Sequence, residues 1–176
     1  MTKQYWQVAA GSEGRDYTNR FLQFGMAFVG GDAQIATMQQ VALGDVVLLK
    51  RGLSSIVAAG EVMERNGTHK GNSDKDWLLD FDGWELPAYC YVNWHVPEQP
   101  VPTDGLTRNT IQRVQQDKHR VLADQILSLP ARGPDPEPGA SREVSDEDIL
   151  RFLIVQGLRP SAADELTTTF RRIRRL

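Results

Sequence analysis

The spacing of apolar residues predicts that the first part of the chain is rich in strands. Apolar, aromatic and β-branched residues dominate four segments, at 4–10, 46–50, 54–64 and 89–96. Glycine, aspartate and proline residues bound these segments, a combination that is typical of β-strands. A shorter apolar run at 26–29 ends at two glycines. We therefore expect a sheet within residues 4–102.

Helical spacing and capping residues predict three helices around these strands. Asp16 is a candidate N-cap of a helix that ends at Gly25, and Asp32 is a candidate cap of a second short helix. The apolar residues of 107–127 keep rough helical spacing and predict one long helix. Because strands and helices do not alternate as in repeated βαβ units, the pattern favours an α+β fold. Its expected form is a small, mixed, partly open β-barrel with peripheral helices.

A proline-rich segment divides the chain. Residues 130–139 contain four prolines, a composition that is typical of a linker. Capping residues and apolar spacing after it predict two more helices. We predict one domain at 1–129, a linker at 130–143, and a helical appendage at 144–176 that begins a longer region.

Composition narrows the function classes. The chain has 176 residues, of which 40% are hydrophobic, and a net charge of −3, which excludes a wholly disordered chain. A protein that coats nucleic acid non-specifically usually has a basic excess, so any nucleic-acid contact must come from a local basic patch. No apolar run could span a membrane, and no secretory signal is visible. The single cysteine, Cys90, favours a reducing, cytoplasmic compartment.

Motifs that carry catalysis are missing from the sequence. His69, His95 and His119 do not have metal-ligand spacing, and Cys90 lies in a predicted strand, where a buried thiol is expected. No glycine-rich loop has the pattern of a phosphate-binding or dinucleotide-binding site. We therefore expect a non-catalytic binding module that has neither a metal nor a cofactor.

The four tryptophans are the most informative residues. Trp6 and Trp94 lie in predicted strands, whereas Trp77 and Trp84 lie in the polar segment between strands. One interpretation places all four in the core, because tryptophan anchors small domains. The other assigns some of them to a pocket in which aromatic rings stack on a planar base.

The order of several short motifs resembles a known family. These motifs are YWQV at 5–8, GRDY at 14–17, FVGG at 28–31, LGDVVLL at 43–49, AAGEV at 58–62, FDGWEL at 81–86 and YVNW at 91–94. Over roughly residues 3–128 the chain is similar to EVE-type domains of the PUA-like superfamily, which are relatives of YTH domains. Such domains stand at the N-terminus of modification-dependent restriction proteins. Ala27 and Phe28 stand where YTH relatives place a tryptophan of the base cage.

The resemblance implies a six-stranded, partly open barrel that reads a modified base by flipping it into an aromatic pocket. The implied partner is double-stranded DNA with 5-methylcytosine or 5-hydroxymethylcytosine, and a nuclease or motor domain in cis or in trans would act on it. The candidate pocket residues are Trp84, Phe28, Tyr17, Asp16, Trp6 and Ser12. The candidate phosphate contacts are basic residues in or beside loops, namely Arg15, Arg20, Lys50, Arg51, Arg65 and Lys70.

Two other interpretations stay open. The same pocket could bind an RNA base or a free modified nucleotide, or the domain could be an interaction module in which Trp84 belongs to the core. Asp16 also has two readings, since its position after the first strand suits both a helix cap and a polar group that reads the edge of a base.

Overall fold

The computed structural model describes residues 3–11 and 14–138. Its strands are β1 (Tyr5–Ala9), β2 (Met26–Val29), β3 (Val46–Arg51), β4 (Ser55–Val62), β5 (Lys70–Asn72), β6 (Ala88–His95), β7 (Val101–Pro102), β8 (Ile111–Arg113) and β9 (Ala131–Arg132). Its helices are α1 (Thr18–Phe24), α2 (Asp32–Met38), α3 (Asp76–Leu79) and α4 (Asp117–Leu127).

Six strands form the main path of a curled, mixed sheet. Their order is β2-β6-β4-β3-β1-β8, and the short strands β5, β7 and β9 pair with β6, β4 and β6. Strands β1 and β3 are parallel, and all other pairs are antiparallel. The sheet forms a half-barrel with the four helices around it, so the predicted α+β class and partly open barrel are confirmed.

Strand β3 lies near the middle of this sheet, and both of its faces are buried. Val47 and Leu49 pack into the larger core. Val46 and Leu48 pack into a smaller core, to which α4 contributes Ala123 and Ile126. Because side chains alternate across a strand, a strand that is buried on both faces has a continuous apolar sequence.

The prediction of one long helix at 107–127 is wrong for the first half of this range. Residues Ile111–Arg113 form β8, which pairs antiparallel with β1 and places Ile111 opposite Val8. Without β8, the N–H and C=O groups on that edge of β1 would lack partners. The helical spacing arises because Ile111 packs into the larger core and Val114 into the smaller one. Helix α4 begins only at Asp117.

Local signals identify the first two helices and their ends. Helix α1 ends at Gly25, which has a left-handed conformation with φ of 60° and donates its N–H to Phe21 O. A residue with a side chain would be strained there, so the glycine stops the helix where the sequence predicts. Helix α2 is present where the sequence predicts it, but its N-cap is Gly31, so Asp32 is the first helical residue and not the predicted cap. The predicted loop at 66–76, in contrast, contains β5.

The proline-rich segment contacts the barrel in its described part. Strand β9 pairs with β6 at Trp94 and His95. Further on, the Asp135 N–H donates to Gln23 O at 2.6 Å, and the Glu137 carboxylate contacts two cations. The rest of the predicted linker, 139–143, and the predicted helical appendage at 144–176 lie outside the described residues.

Candidate functional site

A cavity of about 340 Å³ opens where the ends of β1 and β2 approach the segment 84–86. Its wall combines aromatic, small apolar and polar residues: Ala9, Gly11, Arg15, Tyr17, Phe21, Phe28, Val29, Gly30, Gly31, Gln34, Trp84, Glu85, Leu86 and Thr110. A concave, mainly apolar site with a few polar groups is the usual form of a small-ligand pocket.

A tight turn places Trp84 at the mouth of this cavity. Phe81 and Trp84 form a β-bridge, and each donates its backbone N–H to the carbonyl of the other, at 2.8 and 3.0 Å. Asp82 and Gly83 between them have φ values of 54° and 75°. An Asp-Gly pair with two positive φ values is the usual centre of a type I′ hairpin turn. The DGW sequence therefore determines locally where the Trp84 indole emerges.

The Trp84 indole is 44% exposed, and Arg15 covers part of it. The Arg15 Cζ lies 5.3 Å from the ring centroid. Its Nη1 donates to Asp82 O at 2.6 Å and to the Tyr17 hydroxyl at 3.2 Å. The Tyr17 hydroxyl in turn donates to Asp82 Oδ2 at 3.1 Å. This network joins α1 to the hairpin turn and holds an aromatic face and a cation together at the cavity mouth.

Phe28 forms the aromatic floor of the cavity and is only 2% exposed. Its ring contacts Phe21 at a centroid distance of 4.2 Å and Phe81 at 5.3 Å. Trp77, which the sequence leaves between core and pocket, packs edge-on against Phe28 at 6.2 Å and does not line the cavity. Tilted and edge-to-face contacts of this kind fix the orientation of each ring.

Three of the six predicted pocket residues line the same cavity, namely Trp84, Phe28 and Tyr17. Trp6 does not, because its ring is buried in the core and its Nε1 donates to Asp45 Oδ2 at 2.8 Å. Asp16 lies in a neighbouring groove outside this cavity. Ser12 lies outside the described residues.

The predicted N-cap Asp16 lies one residue before the N-cap of α1, which is Tyr17, but its side chain still binds the start of the helix. Its Oδ1 accepts the Thr18 N–H at 2.9 Å, at the first residue of α1, and its Oδ2 lies 3.3 Å from Arg51 Nε. Partial burial acts to raise the pKa of Asp16, but the hydrogen bonds from Thr18 and the charge of Arg51 outweigh it and lower that pKa. Both carboxylate oxygens of Asp16 therefore have partners within the protein.

The predicted phosphate contacts separate into surface and internal residues. Arg15 lines the cavity, Arg20 lies in the neighbouring groove, and Arg51 is exposed beside Asp16. Lys50, in contrast, is 3% exposed and its Nζ donates to Thr107 O at 2.9 Å. Burial lowers the pKa of Lys50. Lys50 is therefore not accessible to a phosphate, which corrects the expectation for this residue.

Arg65 and Lys70 also have partners within the protein. Arg65 Nη1 donates to Phe24 O at 3.0 Å, and its guanidinium lies over the Tyr91 ring. Lys70 Nζ donates to the carbonyls of Gln39 and Val41, just after α2. Both side chains join parts of the fold, and neither lines the cavity.

The sequence does not point to Gln34, Leu86 or Thr110, although all three line the cavity. Leu86 is the last residue of the FDGWEL motif, so its position near Trp84 could have been inferred. Thr110 reaches the cavity because β8 pairs with β1, and the prediction of a helix over these residues excluded that pairing. Gln34 has one available signal, since it follows the two glycines that end β2.

Neither a metal-binding cluster nor a reactive thiol is found among the described residues. No group of three or more His, Cys, Asp or Glu side chains in this part of the chain could hold a metal ion. Cys90 is completely buried, and burial raises the pKa of its thiol to about 12, so the thiolate nucleophile does not form near neutral pH. The helices of the described ranges are also too short or too polar to cross a membrane.

Comparison with known proteins gives two structures of similar fold. Protein Atu2648 from Agrobacterium tumefaciens aligns with a TM-score of 0.41 at 16% identity, over 75% of this chain and 99% of that one. The ASCH protein from Zymomonas mobilis aligns with a TM-score of 0.37 at 10% identity, over 69% of this chain and 94% of that one. No protein-family model and no curated protein matches the chain.

Proposed function

We propose that the cavity binds a single planar nucleobase, which stacks on Trp84 above the aromatic floor at Phe28. The observation that carries this proposal is a half-exposed indole at the mouth of a cavity of about 340 Å³. That volume lies at the lower end of the range of small-molecule sites, about 300–1,000 Å³. Stacking of a base on an aromatic side chain contributes about 1–3 kcal/mol and accepts any base.

The finer proposal is that the base is 5-methylcytosine or 5-hydroxymethylcytosine in DNA. The floor and wall at Phe28, Val29 and Leu86 are apolar, so a methyl group could be buried there. Burial of one such carbon group contributes about 0.8 kcal/mol. A base inside a duplex cannot enter a recessed cavity, so it would have to be flipped out of its stack.

In this proposal the domain is a non-catalytic reader. A nuclease or motor domain, in the same chain or in a partner, would act on the DNA that the domain selects, as in a modification-dependent restriction system. The resemblance of the FDGWEL and YVNW motifs to EVE-type domains supports this context.

A second candidate is a module that binds an RNA base or a free modified nucleotide. The charges around the cavity favour the free ligand over either nucleic acid, because two surface cations already have anionic neighbours. Arg15 Nη1 lies 3.3 Å from Asp82 Oδ2, and Arg51 Nε lies 3.3 Å from Asp16 Oδ2. A phosphate backbone would therefore meet a partly neutralised rim, whereas a free nucleoside requires no phosphate contact.

Titration with matched ligands tests both candidates. The probes are duplexes that differ only in one cytosine, 5-methylcytosine or 5-hydroxymethylcytosine, a single-stranded RNA with one N6-methyladenine, and the corresponding free nucleosides. Tighter binding of one modified duplex supports the DNA reader. Tighter binding of the RNA or of a nucleoside supports the second candidate. Absence of binding to every probe, or equal affinity for modified and unmodified probes, would contradict a modified-base pocket.

A further inference from the structure

Gln34 places a polar side chain on the cavity wall. This side chain has no role in the proposed stacking of a base on Trp84. It lies in the first half of α2, and the two glycines that separate α2 from β2 precede it by a few residues. Gln34 as a whole is half-buried. A polar group on an otherwise apolar wall fixes the orientation of a ligand and selects among ligands of one shape.

The orientation of the Gln34 amide follows from its neighbours. With Nε2 directed at the backbone, it donates to Gly30 O at 3.3 Å and to Gly31 O at 3.2 Å. The opposite orientation would place Oε1 against these two acceptors, so we assign the first. Both amide hydrogens are then engaged by the backbone, and Oε1 remains as the acceptor that a molecule in the cavity can use.

Close contacts keep this arrangement in place. A Cβ atom at Gly31 would lie 2.7 Å from the Gln34 amide, and Gly31 also has a φ of 83°. A Cβ atom at Gly30 would lie 2.1 Å from Glu85 O. Glycine is therefore required at position 30 by the close approach of the Glu85 backbone, and at position 31 by the positive φ. Rotation of the amide would replace two hydrogen bonds by two acceptor–acceptor contacts.

We propose that Gln34 Oε1 makes the cavity selective for bases with an amino group at C4 of a pyrimidine or C6 of a purine. This inference rests on the proposed function, since it concerns the base that stacks on Trp84. The amino group of cytosine or adenine donates a hydrogen bond to Oε1, whereas uracil, thymine and hypoxanthine present a carbonyl oxygen at that position. Two facing acceptors repel, and turning the amide to present its N–H groups would lose its two hydrogen bonds to Gly30 O and Gly31 O.

The sharpest comparison uses 5-methylcytosine and thymine. These bases share the 5-methyl group and differ at position 4 and in the protonation of N3. The probes are single-stranded oligonucleotides that differ only in this base, so that the energy of opening a base pair does not enter. We expect the parent protein to bind the 5-methylcytosine strand about 10-fold more tightly, the scale of one unsatisfied polar contact.

The variants are Gln34→Met and Gln34→Leu, which keep much of the side-chain volume and remove the acceptor. We expect each to reduce the preference to about 2-fold or less, with a melting temperature close to that of the parent. Gln39→Leu is the matched control, because Gln39 follows the same helix, is exposed and does not line the cavity. It should keep the full preference.

The outcomes separate this inference from the proposed function. If the parent binds both strands equally, or if Gln34→Met and Gln34→Leu keep the full preference, the role of Gln34 is overturned while base binding stands. If the parent binds neither strand and neither free nucleoside, the base pocket itself is overturned, and the role of Gln34 with it.

Discussion

Trp84 and Trp94 differ in what surrounds their indole rings. Trp84 is 44% exposed at the mouth of the cavity. Trp94 is completely buried, and its Nε1 donates to Phe21 O at 3.0 Å. A ring that is half-exposed on a hairpin turn contributes little to the core, whereas a buried indole fills volume that no neighbour can replace.

We expect Trp84→Ala to weaken binding of the preferred base roughly 5- to 150-fold, the loss of one stacking contact, while the domain stays folded. Trp94→Ala should instead reduce the free energy of unfolding by about 3–5 kcal/mol. Thermal melts and titrations with modified and unmodified probes check both. If Trp84→Ala unfolds the domain or binds as tightly as the parent, Trp84 is not the stacking residue.

Asp16 gives a prediction about pH. Its folded pKa lies below the ordinary value near 3.9, so it stabilises the folded state above that value. This contribution is lost as the pH falls through the folded pKa. Asp16→Asn keeps an oxygen for the Thr18 N–H but does not titrate, so the free energy of unfolding of the parent should decrease relative to this variant only in acid.

Denaturant titrations at pH 7 and below pH 4 measure this difference. Asp16→Ala should reduce stability by about 0.5–1 kcal/mol at pH 7, since it removes the hydrogen bond from the Thr18 N–H at the start of α1. Neither variant should change base selectivity, because Asp16 lies outside the cavity. A loss of selectivity in Asp16→Asn without a change in melting temperature would instead identify Asp16 as a reader of the base edge.

Among the elements, the segment 131–137 is attached to the barrel through Glu137. Its carboxylate lies 2.6 Å from Lys75 Nζ and 3.4 Å from Arg65 Nη1, and all three side chains are less than one-fifth exposed. Glu137→Gln would leave two partly buried cations without their shared anion. We expect a decrease of about 1–3 kcal/mol in the free energy of unfolding, measured by urea denaturation.

Glu98→Gln is the control for charge alone, because Glu98 is exposed and the structure records no ion pair for it among the described residues. It should change stability by less than about 0.5 kcal/mol. Equal stabilities of the parent and Glu137→Gln would show that the segment is not held by these ion pairs. The predicted domain division at 129 remains a prediction, since residues after 138 are not described.

Elements with local signals are predictable from the sequence, and those that depend on distant pairing are not. Asp16, Gly25 and the Asp82-Gly83 pair act within a few residues, so α1 and the hairpin turn follow from the sequence. Strand β8 exists because β1 needs a partner about 100 residues away in the chain, and no local pattern reveals that need. The short strand β5 depends in the same way on β6.

The candidate site shows the same division. Aromatic residues near turns led to Trp84, Phe28 and Tyr17, which line one cavity. The sequence predicts Lys50 at the surface because it lies beside a loop, but the distant Thr107 carbonyl provides its ammonium with an internal partner. The carbonyls of Gly30 and Gly31 orient the Gln34 amide, and the sequence alone does not reveal that contact.

The charge of the whole molecule distinguishes a DNA reader from a sensor of free nucleotides. The net charge is −3, so a DNA reader would need local cations, and those near the cavity among the described residues include Arg15, Arg20 and Arg51. Each phosphate that a cation neutralises releases counterions and makes log K fall with log salt concentration by about 0.9. Two or three such contacts predict a loss of duplex affinity of about 10- to 40-fold between 50 and 200 mM salt.

Arg51→Gln should reduce the salt slope for a modified duplex by about 1 and leave the preference for the modified base unchanged. Lys118→Gln is the matched control, because Lys118 lies on α4, pairs with Asp104 and does not line the cavity or the adjacent groove. Binding isotherms at four salt concentrations measure the slopes. A free nucleoside has no phosphate, so its affinity should barely change over this range. If the modified duplex shows an equally flat response, the domain binds the base without the DNA backbone, and the free-nucleotide sensor becomes the better account of the cavity.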